Sequence, residues 1–346
     1  DHRHQRGEYR PHEIFKKRRS MDSMKHEAVS PEGAWLRTHW ISLSLAFAAC
    51  SLAIMWARWG GTVEDSLAYF NTARYLRGEV PFSVLRAPFP YRVTMPALAA
   101  SMPGDVRHAF ATLNWLATVG TAIVLSCVVH AAGGNRRQTV LAGLLFIFSV
   151  PTFWYAPYLL TDPGAIFGKA VFVLGVVTCQ PWMALAGALF ATTVREENIL
   201  LLGWLLVFGR VGLVRGVMAL ALAGLWLIGV RWWLFAGLPS YVWMPNIGTV
   251  IAALRDNRSL MSLISAAVIV IPLAVLGWKR MPDRIKPLKG ILLMMAIPPL
   301  YAALSVRIEG RAIWSLYPFL IPIAVFARLP WRAQQRIAGK PSTNAG

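Results

Sequence analysis

The sequence predicts an all-α integral membrane protein of about ten transmembrane helices, with a long structured first outer loop. Three observations carry that prediction. The 346 residues are 56% hydrophobic and only 15% charged, whereas soluble domains average ~45–50% apolar with about a quarter charged. Apolar runs recur along the whole chain, as expected of a solvent that cannot satisfy exposed backbone. The cations fall in short clusters between those runs, with Trp and Tyr at the run ends, which is the pattern of cytoplasmic loops and interfacial belts. A net charge of +19 therefore points to anionic membrane lipids as partners and not to nucleic acid.

The domain organisation follows. Residues 1–35 form a polar, basic, cytoplasmic tail with Lys16, Lys17, Arg18 and Arg19 in a row. Met21 or Met24 is a candidate translation start, so residues 1–23 are set aside from fold reasoning. Residues 36–328 form the transmembrane domain, and 329–346 a second basic cytoplasmic tail. The first apolar run is too long for a signal segment and shows no clear cleavage site before Trp56, so it is expected to stay as an anchor. Cys50, Cys127 and Cys179 have neither metal-ligand nor disulfide spacing and read as small buried hydrophobes.

Ten runs meet the length criterion or approach it: about 37–58, 108–131, 139–155, 163–180, 181–194, 198–210, 216–236, 259–278, 290–306 and 312–328. The fifth and sixth are short and meet at Arg195-Glu196-Glu197-Asn198, as a broken pair would. With the N-terminus inside, the inner loops hold Arg136, Arg137, Arg210, Arg215, Lys279, Arg280, Arg284, Lys286 and Lys289. Both termini are then cytoplasmic. Of the ten acids beyond residue 35, Asp283 alone falls inside. The other nine are outside or at the outer edge, and the outer loops carry Arg but no Lys.

The first outer loop, about 59–107, exceeds the length at which loops usually carry structure or function. Thr62 is placed to cap a helix over 63–77 and Gly78 to end it. Val63, Leu67 and Phe70 form a stripe suited to the membrane surface.

Four groups carry candidate chemistry. Glu64 and Asp65 open the loop helix, where a carboxylate can act as general base on a membrane-bound substrate or simply favour the helix dipole. Asp162, before Pro163, stands at membrane depth on the same side or else caps a helix. Arg195-Glu196-Glu197 places charge between two apolar runs, where it faces a cavity or an internal salt bridge. Arg307, Glu309 and Arg311 precede the last run, and two Arg beside an acid suit a phosphate or a solvated turn. Arg92 is a further outer cation. Lys169, about a turn and a half into its run, should face the protein interior. No Walker loop, dinucleotide turn, paired-Cys motif or zinc helix is present. No cofactor or divalent-metal site is legible, and metal independence is expected.

The first-loop residues Glu64-Asp65-Ser66, Tyr69, Ala73, Leu76, Gly78 and Pro81, followed by Pro88, Tyr91-Arg92 and Pro96, carry a family resemblance. So do Asp162-Pro163, Arg195-Glu196 and Glu309-Gly310-Arg311. The chain resembles the GT-C membrane glycosyltransferases, in the branch of protein mannosyltransferases and lipid A aminoarabinose transferases. The resemblance implies a GT-C-like fold and a polyprenyl-phosphate-linked sugar as donor. It also implies catalysis by Asp65, with Glu64 as the alternative, and a substrate site that includes Tyr69, Arg92, Asp162, Lys169, Arg195, Glu196, Arg307, Glu309 and Arg311. Two departures are the Ser after the acid pair and the absence of a soluble outer domain after the last run. A transporter or flippase of a lipid-linked or anionic substrate, and a lipid-linked oligosaccharide polymerase, are the alternatives.

Overall fold

A computed structural model describes residues 31–63, 65–209, 211–239, 244–306 and 309–327. The described residues are mainly helical, and their α-helices are α1 (Pro31–Trp56), α2 (Asp65–Leu76), α3 (Thr94–Ser101), α4 (Val106–Ala131), α5 (Arg136–Ile147), α6 (Val150–Tyr155), α7 (Asp162–Val177), α8 (Pro181–Val194) and α9 (Ile199–Phe208). There follow α10 (Leu213–Gly229), α11 (Ile247–Arg255), α12 (Asn257–Ala267), α13 (Val270–Gly277), α14 (Leu288–Met295), α15 (Ile297–Ser305), α16 (Gly310–Trp314) and α17 (Tyr317–Ala324).

The expectation of about ten spans in a GT-C-like arrangement is corrected here. Among the described residues, five segments are long and apolar enough to cross a bilayer: Thr38–Trp56, Val106–Ala131, Leu213–Leu234, Asn257–Gly277 and Asp283–Ser305. The chain is a multi-pass membrane protein, but the other apolar runs fold as shorter or broken helices. The 16 residues of α7 reach about 24 Å at 1.5 Å per residue, short of a hydrocarbon core of ~30 Å. With 14 and 10 residues, α8 and α9 are shorter still.

The breaks have local causes. Ser149 ends α5 and caps α6, its hydroxyl donating to Phe146 O and accepting from Thr152 N–H. Pro151, Pro163, Pro181, Pro298 and Pro318 stand in the first turns of their helices, where a missing N–H costs nothing. The predicted pair 181–194 and 198–210 is indeed two helices, parted by a single turn at Glu196–Asn198.

The short helices form the interior. In α7, Phe172, Val173, Ala170 and Lys169 are buried, and α8 lies against it at a distance only small residues permit. A Cβ on Gly168 or Gly175 would meet the backbone of Ala191 or Ala184 at 2.9 Å and 2.3 Å, and one on Gly187 would meet Phe172 N at 2.4 Å. Small residues at such contacts are what associates helices where lipid removes the hydrophobic drive. Four of the five long segments are peripheral, and the fifth, Val106–Ala131, joins the interior. Just 17% of the Thr38–Trp56 window is buried, against 56% for Val106–Ala131.

One end of the bundle gathers cations. Arg284 donates to Ala131 O, and Gln138, beside Arg136 and Arg137, donates to Val325 O, so the ends of α4, α5 and α17 meet near the basic turn before α14. At the other end α1 runs into a turn tied to the α6–α7 linker. Gly60 N–H donates to Pro157 O, Leu159 N–H donates to Gly61 O, and Gly61 pairs with Tyr158.

The first loop is structured, with two departures from expectation. The helix there begins at Asp65, not 63, and the Val63 N–H is taken by Ser66 Oγ. Gly78 ends it with a left-handed φ of +78°. The apolar stripe divides: Val63 and Leu67 are exposed while Phe70 is buried beneath the Arg107 guanidinium. Arg77 then fastens the loop, donating to Ala99, Ala100, Met102 and Gly104 carbonyls at the end of α3. Cys179 departs from the expected burial, being exposed with a φ of +55° just after α7.

The α7–α8 contact is testable. Gly187→Ala should lower the thermal midpoint of the purified protein by several degrees, because overpacking costs about 1–3 kcal/mol. Gly203→Ala, with open space around it, should hold or raise the midpoint. Equal midpoints for the two variants would contradict the packing.

Candidate functional site

The polar residues singled out in five distant parts of the sequence converge at the end opposite the basic turns. Three local devices bring them there. The α1–α6 linker ties described above set the start of α2 beside the start of α7. Thr94 Oγ1 donates to Thr193 O at 2.6 Å and holds the start of α3 against the end of α8. Gly310 N–H donates to Ser262 Oγ at 2.9 Å, and Tyr155 shares that hydroxyl at 2.7 Å, so α6, α12 and α16 meet at one serine.

Gly310 must be glycine for this. A Cβ there would lie 2.2 Å from Ser262 O. The close approach sets the direction in which Arg311 leaves α16. Trp314, fully buried, adds a second anchor by donating Nε1–H to Thr152 Oγ1 at 3.0 Å.

Asp162 is the centre of the charge cluster. Its side chain is 2% exposed, and Arg195 donates Nη1–H to its Oδ1 at 2.5 Å. Arg311 Nε stands 3.9 Å from the same oxygen. Asp162 does not cap α7: Thr161 holds the cap position, and Asp162 stands in the first helical turn. Its Oδ2 has no hydrogen-bond partner among the described residues. A buried carboxylate oxygen without a donor is a place for a hydroxyl or water to donate.

Arg195 also donates Nε–H to Glu197 at 2.6 Å. The internal salt bridge expected of the broken α8–α9 pair is therefore present, and it extends to Asp162 as well. Arg92 reaches across 104 positions of sequence to grip Glu196 with two parallel bonds, Nε–Oε2 and Nη2–Oε1, each 3.0 Å. Its Nη1 donates to Tyr69 OH at 2.9 Å. Tyr69 is fully buried, so it positions Arg92 and does not line an open surface.

Asp65 stands at the first position of α2 and pairs with Arg311 Nη2 at 2.8 Å. Its side chain is 32% exposed, against 19% for Arg311, which makes it the most accessible carboxylate of the three that Arg311 approaches. The third, Glu309, lies 3.9 Å from Arg311 Nε. Lys169 is buried two turns along α7 from Asp162, as expected of an inward-facing lysine, and its Nζ donates to Ser315 O at 3.2 Å. Glu64 and Arg307 lie outside the described residues.

The sequence did not mark Ser262, and it offered Tyr155 only as part of an interfacial aromatic belt beside Asp162. A serine and a tyrosine in apolar stretches carry no distinguishing pattern, and only the fold shows that they carry Gly310. The other acids assigned to this side have plain structural duties. Asp105 caps α4 through the Arg107 and His108 amides, Asp256 caps α12, and Glu79 pairs with Arg74.

The Arg92–Glu196 pair has a pH signature. Burial alone would push the Glu196 carboxyl up, but the Arg92 charge and its hydrogen bonds outweigh it and hold the group down to about 2. A carboxyl depressed on folding contributes stability that is complete above its unfolded value, ~4.3 for Glu. That contribution is lost as pH falls through the folded value. The thermal midpoint should therefore fall more steeply between about pH 4.3 and 2 in the natural protein than in Glu196→Gln. Parallel midpoint curves would show that the pair does not couple to folding.

No protein-family model matches the chain, and the searches of curated proteins and of solved structures find no match either.

Proposed function

We propose that the chain is an inverting membrane glycosyltransferase that moves a sugar from a polyprenyl-phosphate donor to an acceptor hydroxyl. The observation that carries this reading is the Asp65–Arg311 pair. It places an accessible carboxylate and a guanidinium side by side at one end of a membrane protein. The first-loop resemblance to polyprenyl-phosphate-dependent transferases supports it.

In this reading Asp65 removes the proton of the acceptor O–H. The oxygen forms a bond to the anomeric carbon from the face opposite the phosphate. The carbon–oxygen bond to phosphate breaks, and its electron pair leaves on the polyprenyl phosphate. The departing anion needs cationic stabilisation more than it needs an acid, and Arg311 is the cation in position. Arg92 is occupied by the Glu196 carboxylate and the Tyr69 hydroxyl, and Arg195 by the Asp162 and Glu197 carboxylates, so they shape the site and do not bind the phosphate. Asp162, buried beneath the pair, holds Arg195 and approaches Arg311. Tyr69, Glu196 and Lys169 act by holding these groups.

The cell location follows the cations. Positive turns favour the cytoplasmic side, which supports an outer-face position for the cluster at the bacterial inner (plasma) membrane. Val325 meets Gln138 beside Arg136 and Arg137, which supports a cytoplasmic C-terminus, and the basic residues 16–19 support the same for the N-terminus. Such an enzyme serves assembly of the cell envelope.

The test is transfer of a radiolabelled sugar from a polyprenyl-phosphate donor in proteoliposomes. Asp65→Asn should lower transfer by about 10²–10⁴-fold at normal expression, the range for loss of a general base. Asp105→Asn, which touches only a helix cap, should retain it. Full activity in Asp65→Asn would remove the base assignment. Movement of the lipid across the bilayer without transfer would favour a flippase instead.

A further inference from the structure

The three arginines of the cluster are not equivalent. Arg92 has both faces of its fork engaged, by Glu196 and Tyr69. Arg195 holds the fully buried Asp162 and also Glu197. Arg311 is different: among the described residues its one close carboxylate is Asp65, while Asp162 and Glu309 stay at 3.9 Å from its Nε. Removing a partner from a buried pair leaves a bare charge out of water and is strongly unfavourable. Removing one from a partly exposed pair costs ~1 kcal/mol or less, since the freed group is hydrated. Asp65, at 32% exposure, is of the second kind, and Asp162, at 2%, is of the first.

We propose that Arg311 is an exchange site, where a lipid-borne phosphate displaces the Asp65 carboxylate and thereby releases the base. The inference rests on the glycosyltransferase reading for its purpose, though not for its chemistry. A phosphate presents two oxygens to the planar guanidinium and so matches the edge that Asp65 leaves. Asp162, anchored by Arg195, keeps Arg311 in place during the exchange. The phosphate anion then lies next to the freed Asp65. Binding of the donor is what makes the base competent, so Asp65 is held by Arg311 until the leaving group arrives.

The exchange makes Asp65 a competitor of the lipid phosphate, which gives a result opposite to that of an ordinary binding residue. In nanodiscs, Asp65→Asn should bind undecaprenyl phosphate about threefold to fivefold more tightly than the natural protein, the range for losing a partly exposed ion pair. Undecaprenol should bind both proteins alike. Equal or weaker binding of undecaprenyl phosphate by the variant would overturn the proposal.

A second measurement needs no variant. Modification of Asp65 by a water-soluble carbodiimide, read by peptide mass spectrometry, should rise several-fold when undecaprenyl phosphate is added and stay level with undecaprenol. Unchanged or reduced modification at saturating lipid would overturn the proposal. The same rise with inorganic phosphate alone at millimolar concentration would reassign the site to a free phosphate, overturning the lipid as its source. Exchange without sugar transfer would remove only the enzymatic reading, and transfer without exchange would remove only this one.

Discussion

Asp162 is the constraint around which this end of the molecule is organised. A carboxylate this deeply buried keeps its charge only if cations surround it. Arg195 supplies one from the break between α8 and α9, and Arg311 approaches from α16. Each of these arginines carries a second acid, Glu197 and Asp65 respectively. The start of α2, the start of α7, the α8–α9 break and the start of α16 are thereby joined through one side chain. Moving the start of α7, the α8–α9 break or the start of α16 would strand the Asp162 charge, and that penalty holds these three together more firmly than exposed pairs such as Arg74–Glu79 hold theirs.

Much of the site could be read from the sequence, because charge among apolar residues is conspicuous. Asp162, Arg195, Glu196, Lys169 and Arg311 all stand out that way. What the sequence could not give is pairing over long separations. Arg92 finds Glu196 through tertiary packing, and nothing local in either segment names the other. Tyr69 was legible as part of a first-loop pattern, but its burial under Phe89 and its bond to Arg92 come only from the fold. Gly310 was visible as a glycine between charged residues. Its reason, contact with the Ser262 carbonyl, was not.

The number of crossings was misread for a physical reason. Hydropathy measures how apolar a stretch is, and says nothing of whether its helix is continuous. The runs at 139–155 and 312–328 are apolar enough, yet Ser149 with Pro151 divides the first and the Ser315–Leu316 turn before Pro318 divides the second. A central helix shielded by protein can also be short without exposing backbone to lipid, so α7 and α8 read as spans by composition while lacking the length.

That shortness has a consequence for the chemistry. A full-length helix facing lipid must carry its apolar character to the interface, and charge within it is expensive. The start of α7 and the end of α8, Asp162 and Val194, are buried in protein. Irregular backbone and ionised side chains are tolerated there, where helix ends, Arg guanidinium groups and carboxylates satisfy one another. The glycines that seat α8 on α7 make this arrangement compact, since wider separation would open the cluster to lipid. Close helix packing in the apolar interior and a dense charged site at its edge are therefore two results of the same design, in which small residues allow short helices to occupy the centre.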